Sequence, residues 1–543
     1  MPVDTSRDVV DCSIDIELTS TPAVKPIRTQ KPVQADSSRQ LKSLVLFAFW
    51  GSLYILPFMR LFLVGSDEGT LDYGAIRVAH GQVFARDFFE VIGPGTFYWL
   101  AGFFKVFGET FLASRICLFL TSIGTALAMY FLSLRICRTS PITPSILLAA
   151  TCFGGLWPAI SHHVDSNFFA LAAVVCMVLW HERGNRSLLL MAGSLAGATT
   201  CFLQPKGLLL FCAFLVWLFV LKLRRAASLS AMALLTGSYL TVLAAVALYF
   251  WHKGALSALI YVNFIWPSQH YSAVNSVPYA HDIVSNFWDH WVVKVKGFGW
   301  TVPMAAVLIT PLLFVIALPG LLAALGARFR WNLARNEILL YWLAGAALWL
   351  SEIHRKDVTH LVFGSPLLMI LGVHFLDEYR APLAVMARRL LLVSSASLGI
   401  FNLLCLLLAS HSVTTRAGTI RTFKTMDVFA ALEKYAAPGE EIFAYPYAPR
   451  YYFLDATTNP TPYSILVYNY NTPSQFQETV RILEERKVRY VVWDKNIEQV
   501  ASVVFPSSTQ VAPGDFIVEP YLKSHYRLVQ VVDGFRIMER IER

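Results

Sequence analysis

Ser66-Asp67-Glu68-Gly69-Thr70-Leu71-Asp72-Tyr73 decides how the chain is read. It follows the first long apolar run, which ends near Val64. Carboxylates are costly near a bilayer unless they are solvated or used, so acids at a membrane exit point to function at that surface. Thr70 to His80 has helical spacing, with Leu71, Ala75 and Val78 on one face and Gly81 as a stop. Acids at the start of that helix are favoured by its dipole and held ionised. An ionised carboxylate there can accept a proton from a hydroxyl or amine, or it can simply cap the helix.

Outward from this stretch the composition is that of a membrane protein. Of 543 residues 56% are apolar, 14% aromatic and only 15% charged, against about 25% charged in soluble domains. A net charge of +9 is what cytoplasmic Lys and Arg loops give an integral membrane protein, and it needs no nucleic acid partner. The eight cysteines form no CxxC pair, and most sit in apolar runs, so a disulfide framework or a cysteine zinc site is not expected. Residues 1–40 are polar and lack an apolar core, and read as a disordered cytoplasmic tail rather than a signal peptide.

A crossing helix needs about 20 apolar residues. Candidate spans are 43–64, 111–135, 143–161, 166–181, 187–203, 207–221, 230–251, 301–325, 337–351, 360–377 and 388–410, about eleven in all. The stretch 93–107 opens with Gly93-Pro94-Gly95 and reads as an interfacial helix. With the N-terminus inside, alternation places Arg135 and Arg138; Arg183 and Arg186; Lys222, Arg224 and Arg225; Arg328, Arg330 and Arg335; and Arg380, Arg388 and Arg389 in short cytoplasmic loops, as the positive-inside rule requires. An extra span at 93–107 would invert every later loop.

The opposite side then receives 65–92, the turns near 161–165, 204–206 and 351–359, the loop 252–300 and everything after about 411. From 426 the pattern is mixed. Residues 426–436 and 474–487 have helical spacing, 441–445 and 488–493 read as strands, and Asp533-Gly534 marks a hairpin between 526–532 and 534–540. The fold class is a polytopic α-helical membrane protein, with a transmembrane domain over 41–410 and a C-terminal extracytoplasmic α/β domain over 411–543.

The outer side gathers Asp67, Glu68 and Asp72; Arg86, Asp87 and Glu90; His162, His163 and Asp165; Gln204 and Lys206; and Glu352, His354, Arg355, Lys356, Asp357 and His360. Ser161-His162-His163-Val164-Asp165 is a weak metal pattern, because adjacent side chains diverge on a helix, and Asp165 or Ser161 also suits an N-cap. A divalent cation is left open. Lys206 on this side runs against the charge bias. It either snorkels or joins Arg355 and Lys356 in holding a lipid-linked phosphate. The Glu352–His360 turn reads equally as a solvated turn. Tyr261, Trp266, Tyr271, Trp288, Trp291 and Trp300 in the long loop read mainly as interface anchors.

These residues resemble the GT-C glycosyltransferases, most of all the branch of protein mannosyltransferases and the lipid A aminoarabinose transferase. The resemblance rests on Asp67-Glu68 after the first span, Gly81 to Gly95, Phe107-Gly108, Arg115, Asp165 before a span, Ala192 to Gly197 leading to Lys206-Gly207, and His360 before the Pro366 span. It covers roughly 41–380. It implies transfer of a sugar from a polyprenyl-phosphate donor to a glycan, lipid or protein acceptor on the outer face of a bacterial inner membrane or in the ER lumen, of which the bacterial membrane is preferred. It implies a base at Asp67, with Glu68 as the adjacent alternative, a second acid at Asp165 near the acceptor or a metal, and donor-phosphate contacts at Lys206, Arg355, Lys356 and His360. The run Gly69-Thr70-Leu71 departs from the aromatic or basic run of the best-known members, which leaves acceptor and subfamily open. Two other classes stay in view: a lipid or sugar transporter, which should carry charges deep in its spans, and a non-catalytic GT-C-like assembly subunit.

Overall fold

The computed structural model describes residues 37–62, 65–153, 157–271, 276–281, 283, 301–328, 336–379, 381–495 and 516–541. The readings of residues 1–36, Arg330, Arg335, Arg380, Trp288, Trp291 and Trp300 lie outside them. Met1–Ser43 and Leu44–Arg543 are separate compact units, and the bundle, the sheet and the outer constellation all belong to the second.

The helices are α1 (Ser37–Ile55), α2 (Gly65–Ala79), α3 (Gly95–Phe107), α4 (Phe111–Ile136), α5 (Thr143–Leu148), α6 (His162–Arg183), α7 (Arg186–Phe202), α8 (Gln204–Leu223), α9 (Leu229–His252), α10 (Leu256–Ile260), α11 (Thr301–Arg328), α12 (Asn336–Glu352), α13 (Val358–Gly364), α14 (Pro366–Glu378) and α15 (Pro382–Cys405). Seven helices among the described residues are long and apolar enough to cross a membrane. The pair α13 and α14, bent by 73°, makes an eighth crossing if it counts as one span. Each of the eleven apolar segments holds a helix, but α7 and α12 have 17 residues each, about 25 Å at 1.5 Å per residue.

The expected span 143–161 departs most. Its apolar helix covers only Thr143–Cys152, about 15 Å long, and ends in a wide π turn over Ala149–Phe153. The segment nevertheless joins opposite ends of the bundle. Before it, Thr139 N donates to Asp377 Oδ2 at 3.1 Å. At its far end Ile160 N donates to Glu68 Oε1 at 3.1 Å. Irregular backbone at membrane depth is tolerated where protein buries it, and Ala159, Ile160 and Ser161 are buried.

The two ends of the bundle are chemically distinct. At one, Arg135 pairs with Glu182 at 2.8 Å, Arg388 with Asp377 at 2.7 Å, and Arg224 donates to Asn336 at 2.6 Å. The other collects the residues of the outer constellation. Helix α2 starts five residues before the expected Thr70, so Asp67 and Glu68 lie in its first turn, where the dipole favours them. Helix α3 is a short helix packed on α2 and α4.

The C-terminal part holds the hairpin β1 (His411–Thr415) and β2 (Gly418–Thr422), then α16 (Asp427–Leu432), β3 (Ile442–Tyr445), α17 (Arg450–Leu454), α18 (Pro473–Glu485), β4 (Tyr490–Asp494), α19 (Val518–His525), β5 (Tyr526–Val532) and β6 (Phe535–Arg540). A four-stranded sheet runs β3-β4-β6-β5, with β3 and β4 parallel and the others antiparallel. The central β4 is buried along its whole length, as its unbroken apolar reading requires. Helix α18 opens with a capping box of Thr472 and Gln475. Helix α17 packs directly on α2.

Candidate active site

The outer residues converge, but not equally. Asp67 keeps solvent-accessible surface, yet protein encloses it closely enough that burial raises its pKa. The Tyr447 hydroxyl donates to its Oδ1 and opposes that rise, as do the charges of Arg355 and His360, while Asp357 adds to it. Arg355 and His360 are held on one carboxylate. Arg355 Nε donates to Asp357 Oδ2 and His360 Nδ1 meets Asp357 Oδ1, both at 2.7 Å. Asp357 also caps α13 through His360 N at 2.9 Å. Burial opposes ionisation of Asp357, but His360 and Arg355 outweigh it and hold its pKa below the usual range. Lys356 is half-buried on the same turn.

Glu68, the neighbour of Asp67, faces the other way. It is fully buried and grips the Arg115 guanidinium with both oxygens, while Oε1 also accepts from Ile160 N. Arg115 reaches on to Leu61 O at 3.0 Å. Asp72, one turn along, accepts from Ser114 Oγ at 2.7 Å. Burial and then Glu68 push its pKa well up, against Ser114 and Arg115. This face of α2 is a packing device.

Lys206 does not snorkel. It is completely buried, 2.6 Å from Glu352 Oε1, and donates to Asn167 Oδ1 at 2.8 Å and Ser166 Oγ at 3.1 Å. Glu352, at the end of α12, also meets His163 Nδ1 at 2.9 Å. The His163 ring lies 4.7 Å from that of His360, so Lys206, Glu352 and His163 form a buried shell behind His360. His163, Glu352 and His360 offer ligand atoms within 4.8 Å of one another, a donor set that suits a divalent cation. In this arrangement the Lys206 ammonium already occupies one Glu352 oxygen.

Asp165 lies in the first turn of α6, and Ser161, not Asp165, is the N-cap. Asp165 accepts from Thr96 Oγ1 at 3.0 Å in a buried contact between α3 and α6. Arg86 and Asp87 pair with each other at 2.8 Å on the surface, and Arg86 also holds Lys253 O at 2.8 Å. They brace a loop rather than face Asp67. Trp266 is not an interface anchor. It is fully buried, with ring centroids 4.9 Å from Tyr470 and 5.8 Å from Phe89.

Two residues escaped the sequence reading as site residues. Tyr447 carries no local pattern that ties it to a residue 380 positions away. Glu90 was visible as an outer acid but not as a buried one. Burial pushes its pKa to about 8, against Ser464 and Arg77, so it is protonated at neutral pH beside the ionisable Asp67.

No family model matches the chain, and no curated protein matches it in sequence. Solved structures do match. ArnT from Cupriavidus metallidurans bound to undecaprenyl phosphate aligns over 93% of this chain and 98% of that one, with a TM-score of 0.53 at 10% identity. The same protein in the apo state aligns over the same shares at 0.50 and 10% identity. ArnT is a GT-C enzyme.

The chain has a GT-C fold.

Within that fold the chain is a multi-pass membrane protein, and the alignment takes in both the helical bundle and the C-terminal sheet.

Proposed function

We propose that the chain is a membrane glycosyltransferase that moves a sugar from a polyprenyl-phosphate donor to an acceptor on the extracytoplasmic face of a bacterial inner membrane. The observation that carries this is the GT-C fold with Asp67, held by the Tyr447 hydroxyl, at the same end of the bundle as Arg355 and His360, both held on Asp357. A carboxylate and cations at one membrane surface suit displacement at a lipid-linked phosphate. The GT-C fold, and the undecaprenyl phosphate bound by ArnT, support the donor class.

In this reaction the acceptor hydroxyl or amine attacks the anomeric carbon. The bond from that carbon to the phosphate oxygen breaks, and polyprenyl phosphate leaves. The acceptor proton passes to Asp67, whose raised pKa brings it nearer the working pH of a general base. Arg355, His360 and Lys356 neutralise charge on the departing phosphate. Lys206 acts one shell back, by fixing Glu352 and through it His163 behind His360. The reading assigns 41–410 to the transmembrane catalytic domain and 411–543 to an extracytoplasmic domain.

The test supplies radiolabelled polyprenyl-phosphate sugars with a crude envelope acceptor pool to the purified protein, and identifies products by mass spectrometry. Label transfer that is lost in Asp67→Asn supports the reading. Transport of lipid or sugar with no donor cleavage contradicts it.

A further inference from the structure

The C-terminal sheet domain reaches Asp67 through the Tyr447 side chain. The chain between β3 and α18, with α17 in it, lies along α2, and the contacts recur at helical spacing on one face. Ser66 Oγ donates to Tyr447 O at 3.0 Å. Tyr73 Oη accepts from Asn459 N at 2.7 Å. Arg77 Nη1 donates to Thr461 O at 3.3 Å. Gly65 and Gly69 complete this face. A Cβ at Gly69 would stand 2.5 Å from Arg450 N and 2.6 Å from Arg450 Cα, and a Cβ at Gly65 would stand 2.6 Å from an Arg450 guanidinium nitrogen. At Gly69 only a glycine lets the two backbones approach so closely. The Gly69-Thr70-Leu71 run that departs from the best-known GT-C sequences is therefore the seat of the outer domain.

Tyr447 projects from that seat onto Asp67. Its ring is fixed in a buried cluster with Trp266, Tyr470, Ile465 and Val467, against which Phe89 and Val91 pack. We propose that Tyr447 is the positioning residue of the transfer reaction: the outer domain supplies the hydroxyl that holds Oδ1 of the Asp67 carboxylate and aims its other oxygen at the acceptor.

The chemistry suits the role. An ionised carboxylate has about four acceptor sites, so one donated hydrogen bond leaves room for the proton it must take. A donor to the charged form also keeps an enclosed carboxylate ionised. The groups facing Asp67 are Tyr447, Arg355 and His360, which favour its charge, and Asp357, which disfavours it. Glu90, protonated near neutral pH, adds little charge of its own.

The inference rests on Asp67 being the base, so its test is run beside Asp67→Asn in the same transfer assay. Tyr447→Phe keeps the ring packing and deletes the donor. The expected result is normal donor binding with kcat about 10-fold lower at neutral pH, and the acidic limb of kcat/KM moved up by about one pH unit, the size of one lost hydrogen bond to a charged group. The sign follows from the charged form losing its donor, so that Asp67 stays protonated to higher pH. An unchanged kcat and limb in Tyr447→Phe, with Asp67→Asn inactive, overturns the positioning role and leaves the base standing. Full activity in Asp67→Asn removes the base itself, and the inference with it. If Tyr447→Phe aggregates in detergent, 3-fluorotyrosine incorporated at position 447 keeps the ring and hydroxyl. Its more acidic phenol donates more strongly and should move the limb to lower pH, and no movement overturns the proposal.

Discussion

The two faces of α2 treat adjacent acids in opposite ways. Glu68 turns into the bundle, where Arg115 and Ile160 N use both of its oxygens in full burial. Asp67 turns the other way, where Tyr447 of the C-terminal sheet domain takes one oxygen and solvent still reaches the side chain. One face holds the helix and the other presents a carboxylate that can change protonation state. An acidic pair at a membrane exit therefore need not be a catalytic pair, because a buried ion pair is committed to structure by its partner.

Breaking the Asp67 face should give the largest effect on turnover. Asp67→Asn should lower transfer by about 10²- to 10⁴-fold, the usual contribution of a general base, with an unchanged melting temperature and intact membrane insertion. Breaking the bundle face should do the reverse. Glu68→Gln leaves the Arg115 guanidinium buried without its counter-charge and should cost about 3–5 kcal/mol, read as a lower melting temperature in detergent. If Glu68→Gln melts normally but loses turnover, the two acids have been assigned the wrong way round.

The seat between the faces is next. Gly69→Ala places a methyl group against the Arg450 backbone and should destabilise by about 1–3 kcal/mol as overpacking. Limited proteolysis should then release the C-terminal part more readily than in the parent. Arg86→Ala should change least. The pair is exposed at the surface, where solvent and salt screen it, so activity and melting temperature should stay close to those of the parent.

Much of the fold was legible because lipid imposes a simple rule. A run of about 20 apolar residues must become a helix, and basic loops mark one side. The side assigned to Lys206 and His360 by counting loops is one end of the bundle in the structure, where these two residues are linked through Glu352, His163 and Asp357. The strands at 441–445 and 488–493 and the Asp533-Gly534 hairpin were legible from apolar runs and turn chemistry. The half-helix at 143–152 was not, because hydropathy records burial and cannot tell a helix from irregular backbone buried by its neighbours.

The site was legible in its members and not in their roles. Sequence placed Asp67 beside Glu68 but could not say which way each pointed, since that is set by Arg115 on α4 and by Tyr447 in another domain. It read Lys206 as a snorkelling or phosphate-binding cation, and could not show that it is buried against Glu352, which also meets His163. Trp266 read as a membrane anchor for the same reason: an isolated aromatic looks alike whether lipid or a second domain covers it.

The division of labour between the two acids is tested most directly by single-turnover transfer from a radiolabelled polyprenyl-phosphate sugar in Asp67→Asn and Glu68→Gln, measured beside donor binding and melting temperature. Asp67→Asn should bind donor and melt like the parent but transfer at least about 100-fold more slowly, while Glu68→Gln should keep transfer in its folded fraction. Undiminished transfer by Asp67→Asn would contradict the assignment of Asp67 as the base.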